Sequence, residues 1–148
     1  MLSYQAADPL DTGEYFELMK AESSAYLDHT LELMHSSWDE YARLFRTVGR
    51  VVTILQDGQP VGFYWVEERE KVLHLHALIL KPAFQGQGIG TQVLNTLRET
   101  YCPSFESIEL GVHKSNPRAL ALYRRLGYQE VKYMEEVEFH ILRLELGK

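Results

Sequence analysis

The sequence predicts an α+β fold in which a mixed, largely antiparallel sheet is flanked by helices. Helical periodicity dominates the first part of the chain, three β-rich runs follow, and two further helices are then separated by strands. The predicted order is therefore α-α-β-β-β-α-β-α-β-β. The chain has 148 residues, the size of one ordinary domain, and it contains no internal repeat or Pro/Gly/Ser-rich linker. We expect a single domain over residues 1–148.

Two capping boxes predict the first two helices. Asp11-Thr12-Gly13-Glu14 is typical of a helix start, and Ser37-Trp38-Asp39-Glu40 repeats the pattern further along. In each, a side-chain oxygen at the first position can accept the backbone N–H three residues later. Apolar residues at helical spacing follow both boxes, so each helix has one face to bury.

The three β-rich runs predict an antiparallel meander. Residues 51–55 and 61–66 are joined across Asp57-Gly58, a strong hairpin signal. The charged segment 67–71 is predicted to form the next turn, and residues 72–80 the third strand.

The second half of the chain alternates helices and strands. A helix is predicted from Ile89 to about residue 101, and a strand at residues 107–112. Asn116-Pro117 then opens a helix, with asparagine at the N-cap and proline at the first helical position, and Gly127 ends it. Two final strands are expected around residues 128–133 and 137–146.

Composition and charge exclude several classes of protein. The residues are 45% hydrophobic and 24% charged, which excludes a disordered or low-complexity chain. Cys102 is the single cysteine, so neither an intrachain disulfide nor a thiolate metal cluster can form, and we expect no metal site. The net charge of −6 argues against nucleic-acid binding. No signal peptide or membrane-spanning run is readable, so we expect a cytoplasmic protein with no membrane contact.

A glycine-rich turn is the first candidate site. Gln85-Gly86-Gln87-Gly88-Ile89-Gly90 links a predicted strand to a predicted helix, where free N–H groups and the helix dipole favour an anion, most plausibly a phosphate. Thr91 breaks a dinucleotide-binding fingerprint, and Thr91-Gln92 breaks a P-loop. The alternative is a tight strand-to-helix turn with no ligand.

The context of this turn resembles the GNAT family of N-acetyltransferases. Leu80-x-Pro82-x-Phe84-Gln85-Gly86-x-Gly88-Ile89-Gly90 is similar to the family's acetyl-CoA signature, Gln/Arg-x-x-Gly-x-Gly/Ala. Asn116-x-x-Ala119-x-x-x-Tyr123 followed by Gly127-Tyr128 resembles its second motif. The resemblance covers residues 72–128 and implies the GNAT fold, with strands splayed apart at the cofactor site.

The resemblance also implies roles for individual residues. Tyr123 matches a tyrosine that protonates the departing thiolate in many members, although a half-buried core aromatic is the alternative. Asn116 would contact the cofactor as well as cap its helix. In full, the residues implied to bind acetyl-CoA are Leu78, Ile79, Leu80, Gln85, Gly86, Gln87, Gly88, Ile89, Gly90, Thr91 and Asn116.

Two histidines are candidates for proton removal from the acceptor amine. His74 and His76 alternate along the predicted strand and so face the same side. Residues 73–78 are similar to the paired-histidine strand of arylalkylamine N-acetyltransferases, in which both histidines serve proton removal. The alternative is two sheet histidines with structural hydrogen bonds. The glutamate that histone-directed relatives carry earlier on this strand is absent, since Val72 takes about that place.

The charge distribution indicates the acceptor. Residues 1–40 contain nine acidic side chains and one basic side chain. In this family the first two helices line the acceptor side, so an excess of carboxylates there favours a cationic amine. Tyr15, Tyr26, Trp38 and Tyr41 would either add an aromatic wall to that side or pack in the core.

The sequence therefore predicts an N-acetyltransferase that moves the acetyl group of acetyl-CoA directly to a small primary amine. Its alternatives are a protein amino-group acetyltransferase and a catalytically idle acyl-CoA-binding sensor or regulatory module. Family habit makes a homodimer plausible.

Overall fold

Four α-helices and seven strands make up the chain in the computed structural model, which describes residues 1–147. The hydrogen-bonded strand order is β1-β2-β3-β4-β5-β7-β6. Only the β4–β5 pair is parallel among the pairs whose register is described. The elements are β1 (Leu2–Ala6), α1 (Pro9–Leu33), α2 (Trp38–Thr47), β2 (Arg50–Gln56), β3 (Gln59–Arg69), β4 (Val72–Leu80), α3 (Ile89–Tyr101), β5 (Ser107–His113), α4 (Pro117–Arg125), β6 (Gln129–Met134) and β7 (Phe139–Glu145). The predicted mixed, largely antiparallel sheet flanked by helices is confirmed.

The chain divides into two compact units. The first, called here the N-terminal unit, comprises Met1–Glu67 and His76–Gly90. The second, the C-terminal unit, comprises Glu68–Leu75 and the chain from Thr91 onward. Strand β4 and helix α3 each pass from one unit into the other. The expectation of one domain over residues 1–148 stays a prediction.

Capping side chains set both helix starts in the N-terminal unit. The predicted start of α1 at Asp11 is wrong, because Asp8 is the N-cap and its side chain accepts the N–H of Asp11 at 2.9 Å. Pro9 then occupies the first helical position, where its missing N–H costs nothing. The predicted start of α2 is confirmed, since Ser37 Oγ accepts the N–H of Glu40 at 3.2 Å.

The N-terminal unit contains one strand that was not predicted. β1 pairs antiparallel with β2, from Leu2 opposite Gln56 to Ala6 opposite Val52. The hairpin between β2 and β3 is confirmed, with Asp57 and Gly58 both at positive φ. The predicted turn at 67–71 is too long, because β3 continues to Arg69 and the positive φ angles fall at Glu70 and Lys71.

Aromatic side chains dominate the core of the N-terminal unit. The rings of Tyr15 and Phe63 stack with centroids 5.0 Å apart. The rings of Phe45 and Trp65 meet edge to face, also at 5.0 Å. Such pairs add about 0.5–1.5 kcal/mol each to the burial of apolar area. The cluster of buried side chains is Tyr15, Met19, Phe45, Val51, Phe63 and Trp65.

In the C-terminal unit, β4 pairs with β5 in parallel over only four residue pairs, from Val72–Ser107 to Leu75–Leu110. Both strands continue beyond the last pair of this register. β7 pairs antiparallel with β5 and with β6. The predicted start and end of α4 are confirmed, because Asn116 Oδ1 accepts the N–H of Ala119 at 3.2 Å and Gly127 follows the helix at a φ of 99°.

Two buried tyrosines give a matched test of hydroxyl burial. Tyr15 is 2% exposed and its hydroxyl bonds Thr53 Oγ1 at 3.0 Å. Tyr128 is 3% exposed, and its hydroxyl has no hydrogen-bond partner within residues 1–147. Burial raises the pKa of Tyr128 well above its usual range, so the hydroxyl stays neutral. An unpaired buried hydroxyl costs about 1–3 kcal/mol.

We therefore expect Tyr128→Phe to leave stability unchanged or to raise it by about 1 kcal/mol. Tyr15→Phe should lower stability by a similar amount, because it strands the Thr53 hydroxyl. Urea unfolding of both variants measures this. A larger loss for Tyr128→Phe than for Tyr15→Phe would show that the Tyr128 hydroxyl is bonded in solution.

Tyr41 predicts a loss of stability at alkaline pH. Burial raises the pKa of Tyr41 to about 12, with a smaller contribution from Tyr26. The unfolded side chain ionises near pH 10, so the contribution to stability is full below pH 10 and is lost as the pH rises towards 12. At pH 11 the loss is about 1 kcal/mol. Tyr41→Phe should remove that part of the change between pH 8 and pH 11, measured by urea unfolding, whereas the exposed Tyr133→Phe should not.

Candidate active site

The glycine-rich turn connects the end of β4 to the start of α3. After Leu80 the chain forms a 3₁₀ turn at Pro82–Phe84, and α3 begins at Ile89. Gly86 and Gly88 have φ angles of 74° and 83°, in the left-handed region that favours glycine. Glycine at these two positions permits the turn, because a residue with a side chain would strain the backbone there.

The face of this turn is open. A Cβ built on Gly86, Gly88 or Gly90 would meet no atom within 4 Å. The first N–H groups of α3 have no partner within the helix, and the dipole makes that end positive. A phosphate could therefore approach the backbone closely, so the turn fits the pyrophosphate of coenzyme A. Ile89 is only 1% exposed as a whole residue, so its side chain packs inward.

The two glutamines of the turn brace it. Gln85 Nε2 donates to the Leu80 carbonyl at 3.0 Å and also to the carboxylate of Glu22 on α1. Gln87 Nε2 donates to the Ala83 carbonyl at 3.1 Å. Their side chains thus hold the loop in the conformation that opens its glycines, which is a structural role beside the predicted binding role.

The end of β4 lies tightly against β3 on one edge. A Cβ on Gly62 would come within 2.3 Å of the Ile79 carbonyl oxygen, so only glycine permits this approach. The Lys81 N–H donates to the Val61 carbonyl at 2.9 Å. Leu78, Ile79 and Leu80 are half-buried, and their backbone is the part that the resemblance assigns to the cofactor.

His76 is held by two neighbours in the N-terminal unit. Its Nε2 lies 2.8 Å from Glu67 Oε1. Its ring lies against Trp65, with centroids 4.7 Å apart and planes at 42°. The His76 and Glu67 side chains are 29% and 23% exposed, so the pair is reachable from solvent. His74 belongs to the C-terminal unit, is half-buried, and alternates with the buried Leu73 and Leu75.

Asn116 and Tyr123 belong to α4 in the C-terminal unit. Asn116 is the exposed N-cap, and its side chain already accepts the Ala119 N–H. Tyr123 is half-buried and meets Tyr128 edge to face, with ring centroids 5.4 Å apart. Thr91 lies in the first turn of α3. The predicted residues are thus divided, with His76 and Leu78–Gly90 in one unit and His74, Thr91, Asn116 and Tyr123 in the other.

Glu67 is the residue that sequence reasoning missed. The charged segment 67–71 predicts a turn at this residue, whereas Glu67 lies in β3, the neighbour of β4 in the sheet. The available signal was its position two residues after Trp65, on the same face of a strand. A carboxylate therefore does reach the histidine strand, but from the adjacent strand and not from position 72.

Several carboxylates of the acidic first helices make structural hydrogen bonds. Asp8 caps α1, Asp28 accepts the indole N–H of Trp38 at 2.6 Å, and Glu22 holds Gln85. Of the predicted aromatic wall, Tyr15 is a core residue, whereas Tyr26, Trp38 and Tyr41 are only half-buried.

A pocket of about 310 Å³ lies between α1 and α2. Phe16, Trp38 and Phe45 contribute aromatic surface to it. Two carboxylates and two cations also line it, namely Glu17, Asp39, Lys20 and Arg46. Because these charges balance, the acidic excess of residues 1–40 is not concentrated in this pocket.

Residues 1–147 contain neither a metal-binding cluster nor a membrane-spanning helix. No group of three or more His, Cys, Asp or Glu side chains there is arranged to hold a metal ion. None of the helices described is long and apolar enough to cross a membrane. Cys102 is an exposed free thiol.

The chain is similar in sequence to two curated relatives. It is 35% identical over 82 residues to an uncharacterized N-acetyltransferase of Methanocaldococcus jannaschii, covering 50% of this chain and 36% of that protein. It is 28% identical over 119 residues to the mycothiol acetyltransferase of Kytococcus sedentarius, covering 75% of this chain and 40% of that protein. The segments of these relatives that the chain matches therefore make up well under half of their length.

The fold is similar to that of a solved enzyme. PaiA N-acetyltransferase from Thermoplasma acidophilum, determined in complex with coenzyme A, matches with a TM-score of 0.73 at 14% identity. The match covers 98% of this chain and 99% of that one. The family model for the acetyltransferase (GNAT) family matches residues 14–128. With both predicted motifs inside that range, the chain belongs to the acetyltransferase (GNAT) family.

Proposed function

We propose that the chain is an acetyl-CoA-dependent N-acetyltransferase that acetylates a small cationic primary amine by direct transfer. The observation that carries the proposal is the open glycine-rich turn, Gln85 to Gly90, at the start of α3. It occurs inside the segment that matches the family model, together with the Asn116 and Tyr123 motif.

The chain's own groups account for cofactor binding. Backbone N–H groups from Gly86 to Thr91 would hold the pyrophosphate, which the positive end of α3 favours. The backbone of Leu78, Ile79 and Leu80 would bond the pantetheine arm as an added strand does. Asn116 would add a polar contact from the N-cap of α4.

Tyr123 would act as the general acid. Acetyl-CoA supplies a thioester whose acetyl group is activated for transfer. A thiolate with a pKa near 8.5 is a fair leaving group, so proton donation from Tyr123 Oη is worth about 10²–10⁴-fold. The half-buried position of Tyr123 supports a side chain that is still partly accessible.

His76 would serve proton removal from the acceptor. An alkylamine with a pKa near 10.4 is mostly ammonium at neutral pH, and freeing it costs about 4 kcal/mol. Imidazole suits this task, and the 29% exposure of His76 supports access for an acceptor. His74 would extend the path, although its half-buried position favours it less.

The proposal also covers the class of acceptor and the assembly of the chain. The acidic residues of α1 and α2 support a cationic amine, and several of them remain on exposed positions. A protein amino group is the second acceptor class, and an idle acyl-CoA-binding module is the alternative to an enzyme. A homodimer and a cytoplasmic location stay predictions.

Thiol release from acetyl-CoA across an amine panel tests the proposed function. The panel contains arylalkylamines, polyamines, aminoglycosides, amino acids and basic peptides, and we expect turnover with at least one small amine. Gly90→Asp should weaken acetyl-CoA binding at least tenfold, because it adds a negative charge beside the phosphates without steric conflict. Gly13→Asp is the matched control, since it adds the same side chain to open space on α1. Binding with no turnover for any acceptor would favour the idle module.

Tyr123→Phe tests the general acid. We expect turnover to fall by about 10²-fold or more, with acetyl-CoA binding retained, because only the hydroxyl is removed. Single-turnover rates and calorimetric binding measure the two effects separately. Unchanged turnover under conditions in which chemistry limits the rate would return Tyr123 to a packing role.

A further inference from the structure

The contact between Glu67 and His76 carries an inference that rests on the proposed function and deepens it. We propose that Glu67 is a positioning residue for His76, which fixes the tautomer and orientation of the imidazole so that the ring accepts a proton from the acceptor ammonium. Both residues belong to the N-terminal unit, on the neighbouring strands β3 and β4.

The geometry is that of a direct hydrogen bond. His76 Nε2 and Glu67 Oε1 are 2.8 Å apart, within the range of a charge-assisted bond. Both side chains are partly shielded from water, at 29% and 23% exposure. Glu67 is thus close enough to orient the ring, and His76 stays accessible.

A second contact restricts the imidazole on one face. The Trp65 ring lies 4.7 Å from that of His76. Trp65 is itself immobile, because it is 2% exposed, packs against Phe45 and donates its indole N–H to the Val48 carbonyl at 2.8 Å. The imidazole is therefore held at its Nε2 by a carboxylate and along its face by a fixed aromatic ring.

The chemistry of the carboxylate sets the tautomer. An ionised Glu67 can only accept hydrogen bonds, so the nitrogen that faces it must carry the hydrogen. In neutral His76 the hydrogen is then on Nε2, and the lone pair is on Nδ1. Nδ1 is the nitrogen that takes the proton in the proposed reaction.

The transfer releases one proton for each acetyl group that moves. The acceptor ammonium gives one proton to His76 Nδ1 and becomes a neutral amine. The amine nitrogen forms a bond to the acetyl carbon, the C–S bond breaks, and the sulfur leaves with the electron pair. The sulfur takes a proton from Tyr123, the second proton that the nitrogen loses restores the Tyr123 hydroxyl, and His76 returns its proton to solvent, so that one proton is released overall.

Glu67→Leu tests this assignment, because leucine cannot accept the Nε2 hydrogen. Two acceptors are compared, namely the best alkylamine of the panel and its fluorinated analogue, which is already neutral at the assay pH. We expect kcat with the alkylamine to fall about 10- to 100-fold and kcat with the fluorinated amine to fall less than about threefold. The KM for acetyl-CoA should not change. Glu67→Gln should lose less than Glu67→Leu, because its amide oxygen can still accept.

Glu68→Leu is the matched control. Glu68 is the next residue on β3, and its carboxylate accepts the Tyr101 hydroxyl at 3.0 Å. It should leave the ratio of the two acceptors unchanged. His76→Ala should lower kcat with the alkylamine as Glu67→Leu does. The double variant should have no lower kcat than His76→Ala, because both substitutions remove the same function.

Three outcomes would overturn the assignment. Equal losses with both acceptors would mean that Glu67 only supports the fold. Additive losses in the double variant would mean that Glu67 and His76 act independently. Normal kcat in Glu67→Leu, with an active wild-type chain, would overturn this inference alone, whereas a wild-type chain without any turnover would overturn the proposed function with it.

Discussion

The packing of Trp65 is the interaction on which the N-terminal unit most depends. A buried tryptophan removes about 150–250 Å² from water, which is worth about 4–6 kcal/mol at 25 cal/mol per Å². Its indole N–H reaches the Val48 carbonyl, so the polar atom is satisfied where α2 ends. The same ring contacts Tyr41 and Phe45 from α2 and His76 from β4. One side chain therefore joins a helix, a loop and a second strand, and gives the candidate base a rigid wall.

Features set by local chemistry could be predicted from the sequence. Asn116 and Pro117 start α4 because one side chain satisfies a helix N–H and the other needs none. Asp57 and Gly58 close their hairpin because both tolerate positive φ. The glycine-rich turn was predictable for the same reason, since Gly86 and Gly88 adopt angles that other residues avoid. In each case neighbouring residues contain the whole physical cause.

Features set by long-range pairing could not be predicted. β1 is five residues long, and its alternation of apolar and polar residues is too short to establish a strand without the partner that β2 offers. The N-cap of α1 is an exception, because its cause is local: Asp8 and not Asp11 caps the helix, and Pro9 suits the first helical position. The Glu67–His76 contact depends on how far β3 extends before it turns, and charged residues from 67 to 71 suggested an earlier turn. A carboxylate nine residues away in sequence becomes a neighbour only through the sheet.

The Glu67–His76 contact lies at the more costly of the two proton transfers in the proposed reaction. At pH 7.4 an alkylammonium must give up a proton at a cost of about 4 kcal/mol, whereas the pKa of a thiol lies only about 1 unit above that pH, worth about 1.5 kcal/mol. The acceptor end therefore needs the better-organised group. His76 has a carboxylate on one nitrogen and an indole along its face. In the proposed reaction this support lies at the acceptor end, where the proton is the harder one to remove.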